Sequence, residues 1–263
     1  MGAMRKTGVV IPCYNEAKRL DTKAFLAALE VEQNLSFLFV DDGSTDETLS
    51  ILKSLKNRRP AQVDILCLEQ NCGKAEAVRR GMLQVIEGPF INVGYWDADL
   101  ATPLVTIEEF CDMLDSTDMT MIIGSRVRLL GRKIERRALR HYLGRLFATF
   151  ASLLIGIVVY DTQCGAKIFK NSITLKKVFG TPFKVSWTFD VEMLARFSLV
   201  SAVPPYKLYS QWYEYPLKEW VDVKGSKVKL KDYLIGGLEF CILFTYLHTP
   251  ACKLYEKYLL GKE

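Results

Sequence analysis

Five times between residues 8 and 123, a short apolar, β-branched run gives way to a polar loop, and four of those loops lead into helical spacing. The runs cover residues 8–11 (stopped by Pro12), 37–40, 63–68, 91–100 and 119–123. Between them, apolar residues recur every three or four positions. Phe25, Leu26 and Leu29 mark a helix over 20–30, and Leu49, Leu52 and Leu55 mark one that starts near Asp46 behind a cap at Ser44 or Thr45. Ala77, Val78 and Met82 mark a third, and Ile107, Phe110 and Leu114 a fourth that begins at Pro103. Strands that alternate with helices of this length need crossover connections. The pattern therefore predicts an α/β fold, a mostly parallel central sheet with helices on both faces.

In such a sheet, ligands bind beyond the carboxyl ends of the strands. Those ends carry Tyr14, Asn15 and Glu16; Asp41, Asp42 and Ser44; Gly73 and Lys74; and Asp97 and Asp99. Alternate residues of an extended segment point to one side, so Asp97 and Asp99 can face one point just past their strand. Two hard carboxylates there suit Mg²⁺ or Mn²⁺, which fills its other positions with water and phosphate oxygens. GxGxxG is absent, as is GxxxxGK followed by Ser or Thr, so neither the dinucleotide fingerprint nor the P-loop is predicted. Asp46 reads as a helix cap rather than a ligand.

Seven cysteines in 263 residues, without a CxxC pair, argue against a disulfide framework and for a reducing compartment. Cys13 and Cys67, in apolar runs, read as small buried hydrophobes. Two histidines argue against a histidine-rich zinc site, and no secretory signal is read before Pro12. The net charge of +5 is mild, but its distribution is not. Arg126, Arg128, Arg132, Lys133, Arg136, Arg137 and Arg140 crowd one segment, with Glu135 as its only acid. A helix starting near Lys133 would align 133, 136, 137 and 140 beside an arc of Leu139, Leu143, Leu146, Phe150, Leu153 and Ile157. That suits a helix lying in a membrane interface, arginines on phosphate head groups; Arg145 interrupts the stretch 143–160 and argues against crossing. Nucleic acid is not predicted, because no binding module or aromatic–basic interleaving accompanies the patch. Residues 233–260 are apolar, with Glu239 the single acid of their first half, and read as one amphipathic or homodimer-forming helix.

VVIPCYNE, FVDDGSTDET, NCGKAEAVRRGM and DADL, in this order and spacing, resemble the nucleotide-sugar half of the family 2 glycosyltransferases. The resemblance implies a nucleotide-diphospho-sugar transferase (GT-A type) domain, with a C-terminal helical tail. It implies Pro12, Tyr14, Glu16, Asp41 and Asp42 at the nucleoside, Lys74 and Ala98 beside the nucleotide or sugar, and Mg²⁺ or Mn²⁺ on Asp97 and Asp99. GSR, YDTQCGAKIFK, WTFDVEMLARF and KGSKVKLKDYL carry the resemblance through the second half, toward the dolichyl-phosphate glucosyltransferases and their bacterial polyprenyl-phosphate relatives. This implies inverting transfer of a hexose, with glucose favoured, from a UDP-sugar to a lipid-linked phosphate. Arg126, Arg137 and Arg140 would bind that phosphate; Gln163, Trp187, Asp190, Glu192 and Lys227 would line the sugar and acceptor pocket. The expected boundaries are 5–232 for the catalytic domain, divided at 124/125 into nucleotide-sugar and acceptor halves, and 233–263 for the tail. Eukaryotic members of that branch carry an N-terminal membrane helix not found here. Peripheral attachment at the cytoplasmic face, through the basic–apolar helix, the tail or a partner, is expected instead.

A lipid phosphate is already anionic and needs aiming rather than deprotonation, a task suited to bidentate arginines. A glycan or small-molecule hydroxyl, the alternative acceptor, would need a positioned base. Asp190 and Glu192 are the candidates, but two apart on a helix they diverge by about 200°, so only one can face the site.

Overall fold

A computed structural model describes residues 6–135, 138–201, 205–208, 210–221 and 230–261. Its first half alternates β1 (Thr7–Cys13), α1 (Thr22–Val31), β2 (Leu35–Asp41), α2 (Thr48–Arg58), β3 (Val63–Cys67), α3 (Lys74–Glu87), β4 (Asn92–Trp96), α4 (Thr106–Ser116) and β5 (Met121–Ser125). The second half holds β6 (Lys133–Glu135), α5 (Ala138–Ile155), β7 (Ala166–Lys170), α6 (Ile173–Gly180), α7 (Phe189–Val200), α8 (Pro205–Leu208), β8 (Trp212–Pro216) and β9 (Glu219–Val221). Two helices, α9 (Leu230–His248) and α10 (Ala251–Leu260), end it.

Seven strands form one sheet in the order β3-β2-β1-β4-β7-β5-β8, and β6 pairs with β9 in a separate two-stranded ribbon. All neighbours in the large sheet are parallel except β7, which runs antiparallel between β4 and β5. The central strands are buried on both faces, as the unbroken runs Val9-Val10-Ile11 and Leu38-Phe39-Val40 require. One face packs Phe25 against Phe37 and Phe39, with ring centroids 5.2 and 5.0 Å apart. On the other, Tyr95, Phe169 and Phe189 join the buried sides of α3, α6 and α7. Every βα loop of the first half thus emerges at the same sheet edge.

Several sequence expectations are corrected here. Pro12 does not stop β1: it pairs with Val40, beyond Val10, the last residue that β4 pairs, where an absent N–H breaks no ladder on that side. Neither Ser44 nor Thr45 caps α2. The Asp46 carboxylate accepts the Thr48 N–H at 3.0 Å, while Ser44 Oγ accepts the Asn15 N–H at 3.0 Å and Asn15 Oδ1 the Thr45 N–H at 2.8 Å. Cys67 is exposed, because β3 is an edge strand, whereas Cys13 is buried. No helix starts near Lys133. Lys133 lies in β6 opposite Glu219, bonded at 2.7 Å, so it joins no helical face. The tail is two helices bent by 86° rather than one, broken at Pro250, whose ring and missing N–H cannot continue α9. Among the described residues no single helix is long and apolar enough to cross a membrane; by length and composition only the bent pair could.

Candidate active site

One side of the site is assembled from loops that brace one another. Asp41 ends β2, and its Oδ1 accepts the Ser44 N–H at 3.3 Å. Asp42 accepts the N–H groups of Cys72 and Gly73 at 2.7 and 2.9 Å, tying the loop after β2 to the loop that leads into α3. Burial pushes the Asp42 carboxyl above its ordinary range, and those two donors offset only part of that. Gly43 makes the approach possible: its φ is +66°, and a Cβ would lie 2.5 Å from the Gln70 carbonyl carbon. Glu16 is buried, with its carboxylate on the Arg19 guanidinium at 2.6 and 2.8 Å, and Tyr14 is half-exposed beside it.

Lys74, the first residue of α3, reaches Asp97 Oδ1 at 2.5 Å. Desolvation would lower the Lys74 ammonium, but the charges of Asp97, Asp190 and Asp99 outweigh it and hold it raised. The Asp99 carboxyl is raised by burial and by the charge of Asp97, and Arg19 and Lys74 offset part of this. Ala98 is buried between the two acids. Asn15 and Leu100, at φ +52° and +53°, are the only non-glycine residues at positive φ among the described residues, and both border this site. A bulky residue in that region carries strain of roughly 1–2 kcal/mol, so the turn after Asp99 is held against a local preference.

Asp97 and Asp99 fit a divalent cation shared with a diphosphate. They are two hard oxygen donors whose negative charge Lys74 and Arg19 compensate only in part, and the ammonium on Asp97 marks where positive charge is stabilised. Among the described residues no group of three or more His, Cys, Asp or Glu side chains could hold a metal by protein ligands alone.

Gly165, just before β7, closes the site. Its carbonyl accepts the Asp97 N–H at 2.9 Å, and a Cβ there would collide with the Asp97 carboxylate. Its φ lies outside the left-handed region, so alanine fits the backbone, and the Asp97 carboxylate must turn aside. Gly165→Ala should therefore cut any activity that depends on the placement of the Asp97 carboxylate about 100-fold, the cost of a misplaced reacting group. Its thermal midpoint should change little, and activity within threefold of the parent would sink the argument.

The other side is organised by buried ion pairs. Arg126 binds Asp161 through Nε at 2.6 Å and Nη2 at 2.7 Å, with the Trp220 ring 5.3 Å from its guanidinium carbon. Desolvation would lower this guanidinium, and Asp161 outweighs that and raises it. In the loop that follows Asp161, the Gln163 Nε2 and Thr162 Oγ1 are buried without a hydrogen-bond partner, polar atoms that a ligand could satisfy. Asp190 is buried, and its Oδ1 receives Lys167 Nζ at 2.6 Å and the Tyr95 hydroxyl at 2.5 Å. Burial raises the Tyr95 hydroxyl well above its usual range, and the charge of Asp190 raises it further, so the phenol stays protonated. Glu192 is not brought to the site. It is fully buried against Arg196, Tyr255 and the backbone of Lys184 and Val185. Arg137 and Lys227 lie outside the described residues, as does the side chain of Arg140.

Sequence reasoning missed Arg19, Tyr95, Asp161, Lys167 and Gly165. Gly165 and Lys167 lie in the DTQCGAK segment singled out above, but nothing local marks one as the neighbour of Asp97 and the other as the partner of Asp190.

The model of Glycosyl transferase family 2 matches residues 8–178. The dolichyl-phosphate beta-glucosyltransferase of Saccharomyces cerevisiae is 33% identical, covering 93% of this chain and 77% of its own. The Dictyostelium discoideum protein of the same name is 30% identical over 84% of this chain and 68% of its own. Among solved structures, Mycobacterium tuberculosis glucosyl-3-phosphoglycerate synthase bound to uridine-diphosphate superposes with a TM-score of 0.65 at 16% identity, covering 94% of this chain and 81% of that one. S. aureus TarS 1-349 with UDP-GlcNAc gives 0.56 at 16% identity, covering 97% and 70%. At these identities the two structures carry the fold alone.

Proposed function

The chain belongs to glycosyl transferase family 2 and is a glycosyltransferase, and we propose that it moves glucose from UDP-glucose to a polyprenyl or dolichyl phosphate with inversion at the anomeric carbon. The observation that carries the acceptor class is the state of the two acids that could have served a hydroxyl as base. Asp190 is occupied by Lys167 and Tyr95, and Glu192 by Arg196, whereas Asp161 holds Arg126 as a rigid fork. A phosphate oxygen needs no deprotonation; it needs an aimed cation.

In this reading the nucleoside lies against Pro12, Tyr14, Glu16, Asp41 and Asp42, with the diphosphate beside Lys74. Asp97 and Asp99 hold Mg²⁺ or Mn²⁺, which when bound neutralises charge that develops on the departing diphosphate. Lys74 adds a second positive charge at the same place. Arg126, with Arg137, Arg140 and Lys227, draws in the acceptor phosphate, and Gln163 and Trp187 orient sugar and acceptor. The acceptor oxygen bonds to the anomeric carbon as the bond to the diphosphate breaks on the opposite face. Tyr142, Leu146, Phe150 and Leu153 of α5 and Leu234, Leu238 and Phe244 of α9 are exposed, which supports a peripheral position on a membrane, in this reading at its cytoplasmic face.

The test is transfer from radiolabelled UDP-glucose to detergent-solubilised polyprenyl phosphate with Mg²⁺ or Mn²⁺. Labelled lipid is expected, abolished by EDTA and restored by excess metal. Metal-dependent UDP binding without lipid product from any sugar donor would move the acceptor to a hydroxyl.

A further inference from the structure

Glu239, the single acid between Tyr233 and His248, is buried, and its carboxylate is the most heavily bonded among the described residues of the tail. Glu239 accepts the Ser186 N–H and hydroxyl at 2.9 and 3.0 Å, the Trp187 N–H at 3.1 Å, and the Thr188 N–H and hydroxyl at 2.7 and 2.8 Å. These amides lead into α7, where Thr188 is the N-cap residue but makes no capping bond of its own. The turn that opens α7, including the N–H of its N-cap residue, is therefore held from another helix, about fifty residues later in the chain. Burial would raise the Glu239 carboxyl, yet these donors hold it below its usual range, so it stays charged.

One turn earlier, α9 also seats the Trp187 ring. Gly236 faces it so closely that a Cβ would lie 2.6 Å from the indole. Phe147 of α5 meets the same ring edge-on at 5.4 Å between centroids, and Phe240 of α9 backs Phe147 at 4.7 Å. From α7 the contacts continue inward. Asp190 binds Lys167, whose ammonium also holds the carbonyls of Thr162 and Cys164 at 3.0 and 2.6 Å. The next residue, Gly165, abuts Asp97. A continuous run of contacts thus joins the outermost helix to the diphosphate end of the site.

We propose that Glu239 is a positioning residue for the acceptor: its carboxylate clamps α9 onto the 186–188 turn and so sets Trp187, seated on Gly236, and the first turn of α7 relative to Asp97 and Asp99. The role rests on the lipid-phosphate reading. It gives the tail a task beyond attachment, because the helix whose outer side presents Leu234, Leu238 and Phe244 is the one whose inner side orders the acceptor face.

Two variants test it, Glu239→Gln, which keeps the shape and removes the charge, and Gly236→Ala, which displaces the indole. Each should raise the KM for polyprenyl phosphate about tenfold or cut kcat by a similar factor, with the UDP-glucose KM and UDP affinity within twofold of the parent. Glu239→Asp should recover part of the loss. A merely structural role would weaken donor and acceptor kinetics together, in step with the thermal midpoint, and that outcome overturns the proposal. Product formation unchanged in both variants overturns it too. Lack of lipid product with the unmodified protein overturns the acceptor assignment itself, and is recognised by that control.

Discussion

Asp99→Ala should lower sugar transfer by roughly 1000-fold, about 4 kcal/mol of transition-state stabilisation, the range seen when a preorganised electrostatic group is removed. On the proposed assignment it removes one of two protein ligands to the cation. Metal-dependent UDP binding should therefore weaken as well, which a titration with and without Mg²⁺ or Mn²⁺ would read. Stability should move the other way. The Asp99 carboxyl is raised in the folded protein by burial and by Asp97, so the fold holds its proton more tightly than the unfolded chain does. Such a group loses the fold stability as pH rises through the ordinary carboxylate range toward the folded value, and at neutral pH its charge is a net cost. Without metal at pH 7, the variant should therefore melt no lower than the parent. A clearly lower midpoint, or activity within tenfold, would contradict the role given to Asp99.

Arg196→Met should cause the largest loss of stability of any single change considered. The guanidinium is fully buried, pairs with Glu192 at 2.7 Å, and donates to the carbonyls of Val178, Thr181 and Pro182 at 2.8, 2.7 and 2.6 Å. Its Nε also meets the Tyr255 hydroxyl at 2.9 Å, so one side chain ties the loop after α6, helix α7 and helix α10 together. Removing it leaves the Glu192 charge and three carbonyls buried, a cost of about 3–5 kcal/mol. For a chain of this size that corresponds to a thermal midpoint lower by roughly 6–20 °C. Adding Glu192→Leu should recover part of the loss, because an apolar pair needs no compensation. A single variant within 1 kcal/mol of the parent would show that solvent reaches this cluster.

The gathering of the βα-loop residues at one edge was legible in the sequence because its signals are local. A strand's two-residue period aligns Asp97 with Asp99, and each βα loop follows its strand directly, so Asp41, Asp42, Gly73 and Lys74 needed only the assumption of a parallel sheet. The basic segment was misread for the opposite reason. Spacing of 133, 136, 137 and 140 fits a helix, but Lys133 pairs with Glu219 across a ribbon whose second strand comes 86 residues later. Glu239 was visible as a lone acid in an apolar stretch, yet its donors at 186–188 could not be read from its neighbours. Of Asp190 and Glu192, helical geometry allowed only one at the site without saying which.

The sequence by itself determined the alternation of strands and helices, the edge at which the loops gather, and the acids carried there, since each follows from short-range periodicity and turn chemistry. Only the tertiary structure decided that Asp190 is paired with Lys167, that Gly165 makes room for Asp97, that Arg126 is fixed by Asp161, and that the tail holds the turn that opens α7. Those are contacts between residues distant along the chain, and their energies depend on burial that exists only once the layers have packed.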